Sequence, residues 1–333
     1  MTLQLITHRN QVRNLQRRFE AAVKSLCSTR FKAKLGSQGG NVRLPIHYSP
    51  EHKAYAGFMH ADGRFWNAFG IGEASPNAAL SIVTEINFPF EGVNRRVAGA
   101  FASEPSGAVH VLHSGKIGGG KAGIGKHLFQ ESFRGKWVTA KDEKSASEYA
   151  LVGSLESPRF PLQLIEFVRE VDRIKSLKPN GGQTRLGSKV GLFIPESTKR
   201  TPFRVSRSTE AGADHAIVVN ALAGGAERLG WHVANNRQID LLLTKPRSDA
   251  RAILVEVKSD NDRQSIYTGV GQLMLHSSAL RHRGRRLLVL PDGIDRNLRQ
   301  TIGSLGIELV TYGWAKGNPR PKFREFPGLL NEK

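Results

Sequence analysis

The sequence predicts an α/β fold class with two successive domains. A β-rich α+β domain covers residues 1–177, and an α/β domain with a mixed sheet covers residues 213–333. A chain of 333 residues is long enough for about two domains. Residues 35–135 contain many short strand-like runs separated by Gly, Pro and Asp turns, which is typical of a β-rich domain. The last third instead follows the order α-β-β-β-α-β-α-β, which indicates a layered domain with helices packed on a sheet.

The N-terminal domain is predicted to begin with a helix, because apolar residues recur there at helical spacing and would face a core. These residues are Val12, Leu15, Phe19, Val23 and Leu26. Strands are predicted at residues 64–69, 81–86, 96–101 and 109–113. Residues 142–177 are expected to be more helical, above all 161–177, where apolar residues lie on one side.

A Pro- and Gly-rich segment at residues 178–212 is predicted to link the two domains, and Leu192-Phe193-Ile194 inside it can still form a docked strand. In the C-terminal domain, helices are predicted at residues 214–230, 266–280 and 294–304. Strands are predicted at residues 231–233, 238–244, 251–258, 286–290 and 307–311.

The composition points to a polyanionic partner. The formal net charge is +20, and basic residues are in excess in both halves of the chain, so the expected partner is double-stranded DNA. The single cysteine, Cys27, excludes an internal disulfide and a cysteine-rich zinc site, and it fits a reducing cytoplasm. No apolar run reaches the ~20 residues needed to cross a bilayer, so no membrane role is expected.

Two carboxylates and an amine occupy adjacent predicted strands of the C-terminal domain. Side chains alternate across a strand, so Glu256 and Lys258 point to one face while Val255 and Val257 point to the other. Asp240 on the neighbouring strand can face the same pair. Buried carboxylates and an ammonium group require partners. A divalent metal ion and a phosphate would supply them.

This order of elements and these residues resemble the PD-(D/E)XK phosphodiesterase superfamily, which includes restriction endonucleases, Holliday junction resolvases and repair nucleases. The resemblance covers residues 210–315 and includes Gln272 on the following helix, in a run that begins at Tyr267. It implies a restriction-endonuclease-like αβββαβ core. It also implies that Asp240 and Glu256 bind Mg²⁺, for which Mn²⁺ can substitute. Lys258 would position or activate the attacking water, and Gln272 would orient Lys258 or that water.

The sequence departs from the family pattern in two ways. Ile239 replaces the Pro of the motif. The family often has a Glu early in the first helix that completes the metal site, but here Asp214 and His215 lie near that place and Glu227 comes late. The upstream ligand therefore stays open among these three residues.

The N-terminal domain offers two candidate DNA contacts. A glycine loop carries Lys116, Lys121 and Lys126, whose amines and neighbouring backbone N–H groups can contact phosphates. A nucleotide-binding P-loop is disfavoured, because His127 stands where Ser or Thr would bind Mg²⁺. A polar turn places Arg95 and Arg96 for a phosphate or a guanine edge.

These features predict a Mg²⁺-dependent DNA endonuclease of restriction or phage-defence type, with an N-terminal target-recognition domain, in a bacterial or archaeal cytoplasm. One alternative is a structure-specific repair or recombination nuclease with the same chemistry. Another is a catalytically inactive DNA-binding protein of the same fold. Because a duplex needs two strand cuts, a homodimer is also expected.

Overall fold

A computed structural model describes residues 2–37, 40–118, 125–143, 145–176, 209–235, 239–245, 248–315, 319–324 and 326–331. The chain divides into two compact units, residues 1–183 and 184–333, and each combines helices with sheets. Within the described ranges, no helix has the length and apolar character needed to cross a membrane.

The N-terminal unit is built on a closed barrel and a second sheet. Its strands are β1 (Thr2–Leu5), β2 (Thr29–Ser37), β3 (Gly40–Ser49), β4 (Ala54–Ala61), β5 (Arg64–Ile71), β6 (Ala79–Ser81), β7 (Thr84–Glu85), β8 (Phe88–Pro89), β9 (Gly99–Ser103), β10 (Val109–His113), β11 (Trp137–Lys141) and β12 (Ala146–Ser154). The barrel order is β1-β11-β12-β10-β9, and the sheet order is β6-β2-β3-β4-β5-β7. The helices of this unit are α1 (Arg9–Lys24), α2 (Lys126–Ser132) and α3 (Phe160–Ser176).

Helix α1 packs against both the sheet and the barrel, as its apolar spacing predicts. Val12, Leu15, Phe19 and Val23 are buried, whereas Leu26 lies beyond the end of the helix. The ring of Phe19 lies against aromatic rings of the sheet, the barrel and α3, which are Phe69, Phe88, Phe101 and Phe160. The helix predicted at residues 161–177 is also confirmed, because α3 buries the same apolar side.

Three predictions for the N-terminal unit are wrong in detail. Residues 81–86 form two strands, since β6 pairs with β2 and β7 pairs with β5, at different edges of the sheet. The strand predicted at 96–101 begins only at Gly99, because Asn94 accepts the N–H groups of Arg96 and Val97 in a turn. Residues 142–160 were predicted to be more helical, but they contain strand β12, which pairs with β10 and β11 and closes the barrel.

The C-terminal unit is a single mixed sheet between helices. Its helices are α4 (Thr209–Arg228), α5 (Arg263–Ala279), α6 (Arg296–Ser304) and α7 (Phe326–Asn331). Its strands are β13 (His232–Ala234), β14 (Leu241–Lys245), β15 (Ser248–Val257), β16 (Arg285–Pro291), β17 (Glu308–Trp314) and β18 (Pro321–Arg324). The order β13-β14-β15-β16-β17-β18 contains a parallel centre, β15-β16-β17, with antiparallel pairs on each side. The predicted order of elements up to β17 is observed, and β18 and α7 follow it.

Both faces of this sheet are apolar, and each is covered by helices. Side chains such as Val255 and Val257 pack towards α4 and α7, while Leu254 and Leu288 pack towards α5 and α6. This three-layer arrangement makes the central strands continuously hydrophobic. Any charged side chain on such a strand is therefore forced into a buried environment.

The predicted linker, 178–212, lies largely outside the described residues, together with Leu192-Phe193-Ile194. Its last part is helical, because α4 begins at Thr209 and not at Asp214. The helix formers Glu210 and Ala211 favour this earlier start.

Candidate active site

Asp240 and Glu256 are brought opposite each other by the pairing of β14 with β15. The register places Leu241 opposite Val255, and continuing it by one residue places Asp240 opposite Glu256. Asp240 lies just before β14, so the strand predicted from residue 238 starts later than expected. The Asp240 Oδ2 atom accepts the backbone N–H of Val257 at 2.8 Å. This bond fixes the first carboxylate beside the strand that carries the second.

Lys258 is held between a carboxylate and an amide. Its Nζ lies 2.6 Å from Oε1 of Glu256 and 2.6 Å from Oε1 of Gln272 on α5. The backbone continues the sheet at this point, since the Lys258 N–H donates to the Val289 carbonyl at 2.9 Å. Gly269 allows α5 to lie close, because a Cβ there would come within 2.8 Å of Leu288 and 3.4 Å of the Lys258 stem. Three of the predicted site residues thus form one hydrogen-bonded group.

His215 of α4 joins this group from the other side. Its Nε2 lies 3.2 Å from Oδ1 of Asp240. Glu227, in contrast, is exposed and lies twelve positions further along α4, or about 18 Å along the helix axis. Asp214 is buried next to His215. His215, one of the three upstream candidates, therefore contacts the predicted site.

The two carboxyl groups have opposite electrostatic settings. Burial raises the pKa of Glu256 to about 7, and the neighbouring charge of Asp240 acts in the same direction against the opposing effect of Lys258. Burial alone would also raise the pKa of Asp240, but His215 and the Val257 N–H hold it below its ordinary value. His215 shows the reverse, because burial would lower its pKa and Asp240 raises it. An Asp240–His215 ion pair therefore lies beside a carboxyl group that is costly to ionise.

The site offers a hard cation such as Mg²⁺ two carboxylate ligands. Among the described residues, no group of three or more His, Cys, Asp and Glu side chains is arranged to hold a metal ion. Asp240 and Glu256 still supply two carboxylates, and Mg²⁺ commonly takes one or two and completes its shell with water and substrate phosphate. Added positive charge between them would also favour the ionised form of Glu256. The residues present fit Mg²⁺ by their chemistry.

His276 is a residue of this site that the sequence reasoning missed. It lies one helical turn after Gln272 on α5, half-buried. Burial lowers the pKa of His276, Asp240 acts to raise it and Lys258 acts to lower it further. His276 therefore lies within electrostatic range of both groups. The four-residue spacing from Gln272 was the available signal.

Three of the proposed DNA contacts meet in the N-terminal unit. Arg95, Lys116 and Lys126 are exposed and line one cavity of about 280 Å³. Lys116 is anchored by the Arg95 carbonyl, which its Nζ contacts, so it is more constrained than a solvated loop lysine. Arg96 is exposed outside the cavity, and Lys121 lies outside the described residues together with the glycine loop, 119–124.

Comparison with protein-family models finds no family that matches this chain, and comparisons with curated proteins and with solved structures find no match either.

Proposed function

We propose that the protein is a Mg²⁺-dependent endonuclease that hydrolyses phosphodiester bonds in double-stranded DNA. The observation that carries this proposal is the group formed by the buried Glu256 with the partly buried Asp240, Lys258 and Gln272, in which Nζ of Lys258 contacts the Glu256 carboxylate and the Gln272 amide at 2.6 Å each. Placing two carboxylates side by side in a site largely removed from water costs free energy, and the pKa of Glu256, raised to about 7 despite Lys258, shows that its contacts offset this cost only in part. A bound cation would offset more of it.

Each residue has a distinct task in this proposal. Asp240 and Glu256 would hold Mg²⁺ or Mn²⁺, which when bound acidifies water and neutralises charge on the scissile phosphate. Lys258, fixed by Gln272, would donate hydrogen bonds to the charge that develops during hydrolysis. His215 would keep Asp240 ionised and correctly turned. These tasks need no movement of the strands that position the groups.

The wider assignment is part of the same proposal. The order α4-β13-β14-β15-α5-β16 supports a restriction-endonuclease-like αβββαβ core. The basic, β-rich N-terminal unit would recognise the target, as in a restriction or phage-defence enzyme acting in a bacterial or archaeal cytoplasm. A homodimer would place two active sites on the two strands.

One observation favours the alternative of an inactive DNA-binding protein of this fold. Both oxygens of Asp240 already have partners, in His215 and the Val257 N–H. A cation would have to share or displace the His215 contact. The inactive form would retain DNA binding without cleavage in any metal.

The direct test is cleavage of supercoiled and linear DNA by the full chain in Mg²⁺, Mn²⁺ and EDTA. Cleavage is expected in the first two, and Asp240→Ala should reduce it by at least about a hundredfold while DNA binding in Ca²⁺ persists. Asp292→Ala is the matched control, because that carboxylate pairs with the exposed Arg324. Absence of cleavage on plain, modified and branched DNA alike would favour the inactive alternative, and a preference for branched DNA would favour a repair nuclease.

A further inference from the structure

The cavity of about 280 Å³ in the N-terminal unit lies where the barrel meets the turn that carries Arg95. Its deep wall is apolar and buried, with Leu5 and Val12 beside the stacked rings of Phe88 and Phe101. Sites for drug-sized ligands usually measure about 300–1,000 Å³, so this cavity suits a ligand of one or two small rings.

The mouth of the cavity is mainly cationic, with three basic side chains against the exposed carboxylate of Glu148. Arg95, Lys116 and Lys126 line it, and within the described part of the chain none of the three forms an ion pair with a carboxylate. Arg95 instead donates to the Ser145 hydroxyl at 3.1 Å, and Lys116 contacts the Arg95 carbonyl. Three cations around an apolar cavity are suited to an anionic group attached to an apolar body.

The wall between mouth and floor is polar. Asp142 and Tyr149 line it, and each lies within electrostatic range of the other. Carboxylate and hydroxyl groups are hydrogen-bond partners for the edges of nucleobases. Ser114 also lines the cavity, and its buried hydroxyl has no hydrogen-bond partner among the residues that the structure describes. A polar ligand would satisfy that group.

We propose that this cavity receives a single nucleotide of DNA, with an extruded base against the apolar wall and its phosphate at Arg95, Lys116 and Lys126. A nucleotide combines the three properties that the cavity selects, namely a flat ring system, hydrogen-bonding edges and an anion. The net charge of +20 favours a nucleotide carried in a nucleic acid over a free one. The inference shares with the proposed function only the assumption that duplex DNA is the ligand, and it requires no cleavage.

Base extrusion can be measured with 2-aminopurine, whose fluorescence rises when it leaves the stack. The full chain in Ca²⁺ is titrated with a duplex that places 2-aminopurine opposite thymine or opposite a mismatched cytosine. Because a mismatched base is easier to unstack, the mismatched duplex should bind at least about tenfold more tightly, with a rise in fluorescence. Cleavage in Mg²⁺ is recorded separately, so an inactive enzyme does not affect this result.

Two variants test the cavity itself. Ala100→Trp fills it from β9, and its control, Ala79→Trp, places the same side chain on the exposed strand β6. Arg95→Gln with Lys126→Gln removes two cations at the mouth, and the control pair is Lys32→Gln with Lys34→Gln on β2. Thermal unfolding establishes that each variant is folded.

Both cavity variants should lose the mismatch preference and the fluorescence rise, while both controls keep them. A fluorescence rise that survives in the two folded cavity variants would overturn the proposal, because extrusion would then use another site. Equal affinity of wild type for the two duplexes, without any rise, would also overturn it. Binding of deoxyadenosine monophosphate in the cavity without any response to the duplexes would show a small-molecule site instead.

Discussion

The two units treat buried ionisable groups in opposite ways. In the N-terminal unit, His113 is fully buried between the rings of Phe129 and Phe167, and burial lowers its pKa to about 4. In the C-terminal unit, the pKa of His215 is raised by Asp240 against the effect of burial. The first unit keeps this core histidine neutral, and the second gathers charges around Asp240.

This difference bears on the division of work that we propose between the two units. A neutral buried histidine stabilises packing like any aromatic ring. A partly buried ion pair such as Asp240–His215 contributes little net stability, because desolvation offsets the attraction. Charged groups that the fold retains at such a cost support the proposal that the C-terminal unit catalyses the reaction. The surface cavity supports the proposal that the N-terminal unit recognises DNA.

The largest expected effect comes from removing the amine of the charged group. Lys258→Ala should reduce cleavage by on the order of 10²–10³, as loss of a charge-stabilising donor does elsewhere. Affinity for DNA in Ca²⁺ should change little. Single-turnover cleavage measures the effect, and Lys245→Ala, which removes a lysine above the Trp231 ring in the same unit, serves as the control. Near-normal cleavage by Lys258→Ala would show that Lys258 only forms a structural ion pair and has no role in cleavage.

The second effect concerns pH and the N-terminal unit. The pKa of His113 is about 4 in the folded chain against 6.5 for an ordinary histidine, so the unfolded chain binds the proton first as pH falls. Stability is therefore complete above pH 6.5 and is lost towards pH 4, by about 3 kcal/mol from this group.

Calorimetry between pH 7.5 and 4.5 measures this loss. His113→Gln should flatten the acid-side decline of the N-terminal unit, whatever its effect at neutral pH. His127→Gln is the control, since the side chain of His127 is 87% exposed and should not alter the slope. An unchanged slope in His113→Gln would show that other groups govern acid unfolding.

A smaller effect tests how closely α5 is held against the site. Gly269→Ala would place a Cβ 2.8 Å from Leu288 and should destabilise the C-terminal unit by about 1–3 kcal/mol through overpacking. Gly271→Ala on the same helix meets nothing within 4 Å and should stabilise it by about 0.5–1 kcal/mol. Denaturant unfolding measures both. Equal effects of the two substitutions would mean that the close approach of α5 to Lys258 is unimportant.

The sequence predicted elements well where a local pattern determines them. The spacing of Val12, Leu15, Phe19 and Val23 located α1, because a periodic apolar stripe has few other uses. The barrel strand β12 was read as helical, because Ala and Gly carry no strong β signal and the strand is selected by its neighbours in space. Strand β2 was not predicted, although Arg30, Lys32 and Lys34 alternate with Phe31, Ala33 and Leu35 at the period of a half-buried strand, so a local signal was present and was missed.

The candidate site divides in the same way. Alternation along one strand was enough to place Glu256 beside Lys258. The pairing of His215 with Asp240 joins a residue on a helix to one just before a strand, 25 positions apart, and no sequence spacing determines that contact. The cavity that collects Arg95, Lys116 and Lys126 depends on barrel closure and was likewise beyond local patterns.

The most direct test of the contrast between the two units is a Mn²⁺ soak of crystals of the full chain with anomalous diffraction. We expect an ion between the carboxylates of Asp240 and Glu256, about 2.1–2.2 Å from an oxygen of each. No ion at this position at saturating Mn²⁺, with Glu256 still bonded to Lys258 and Asp240 to His215, would contradict it.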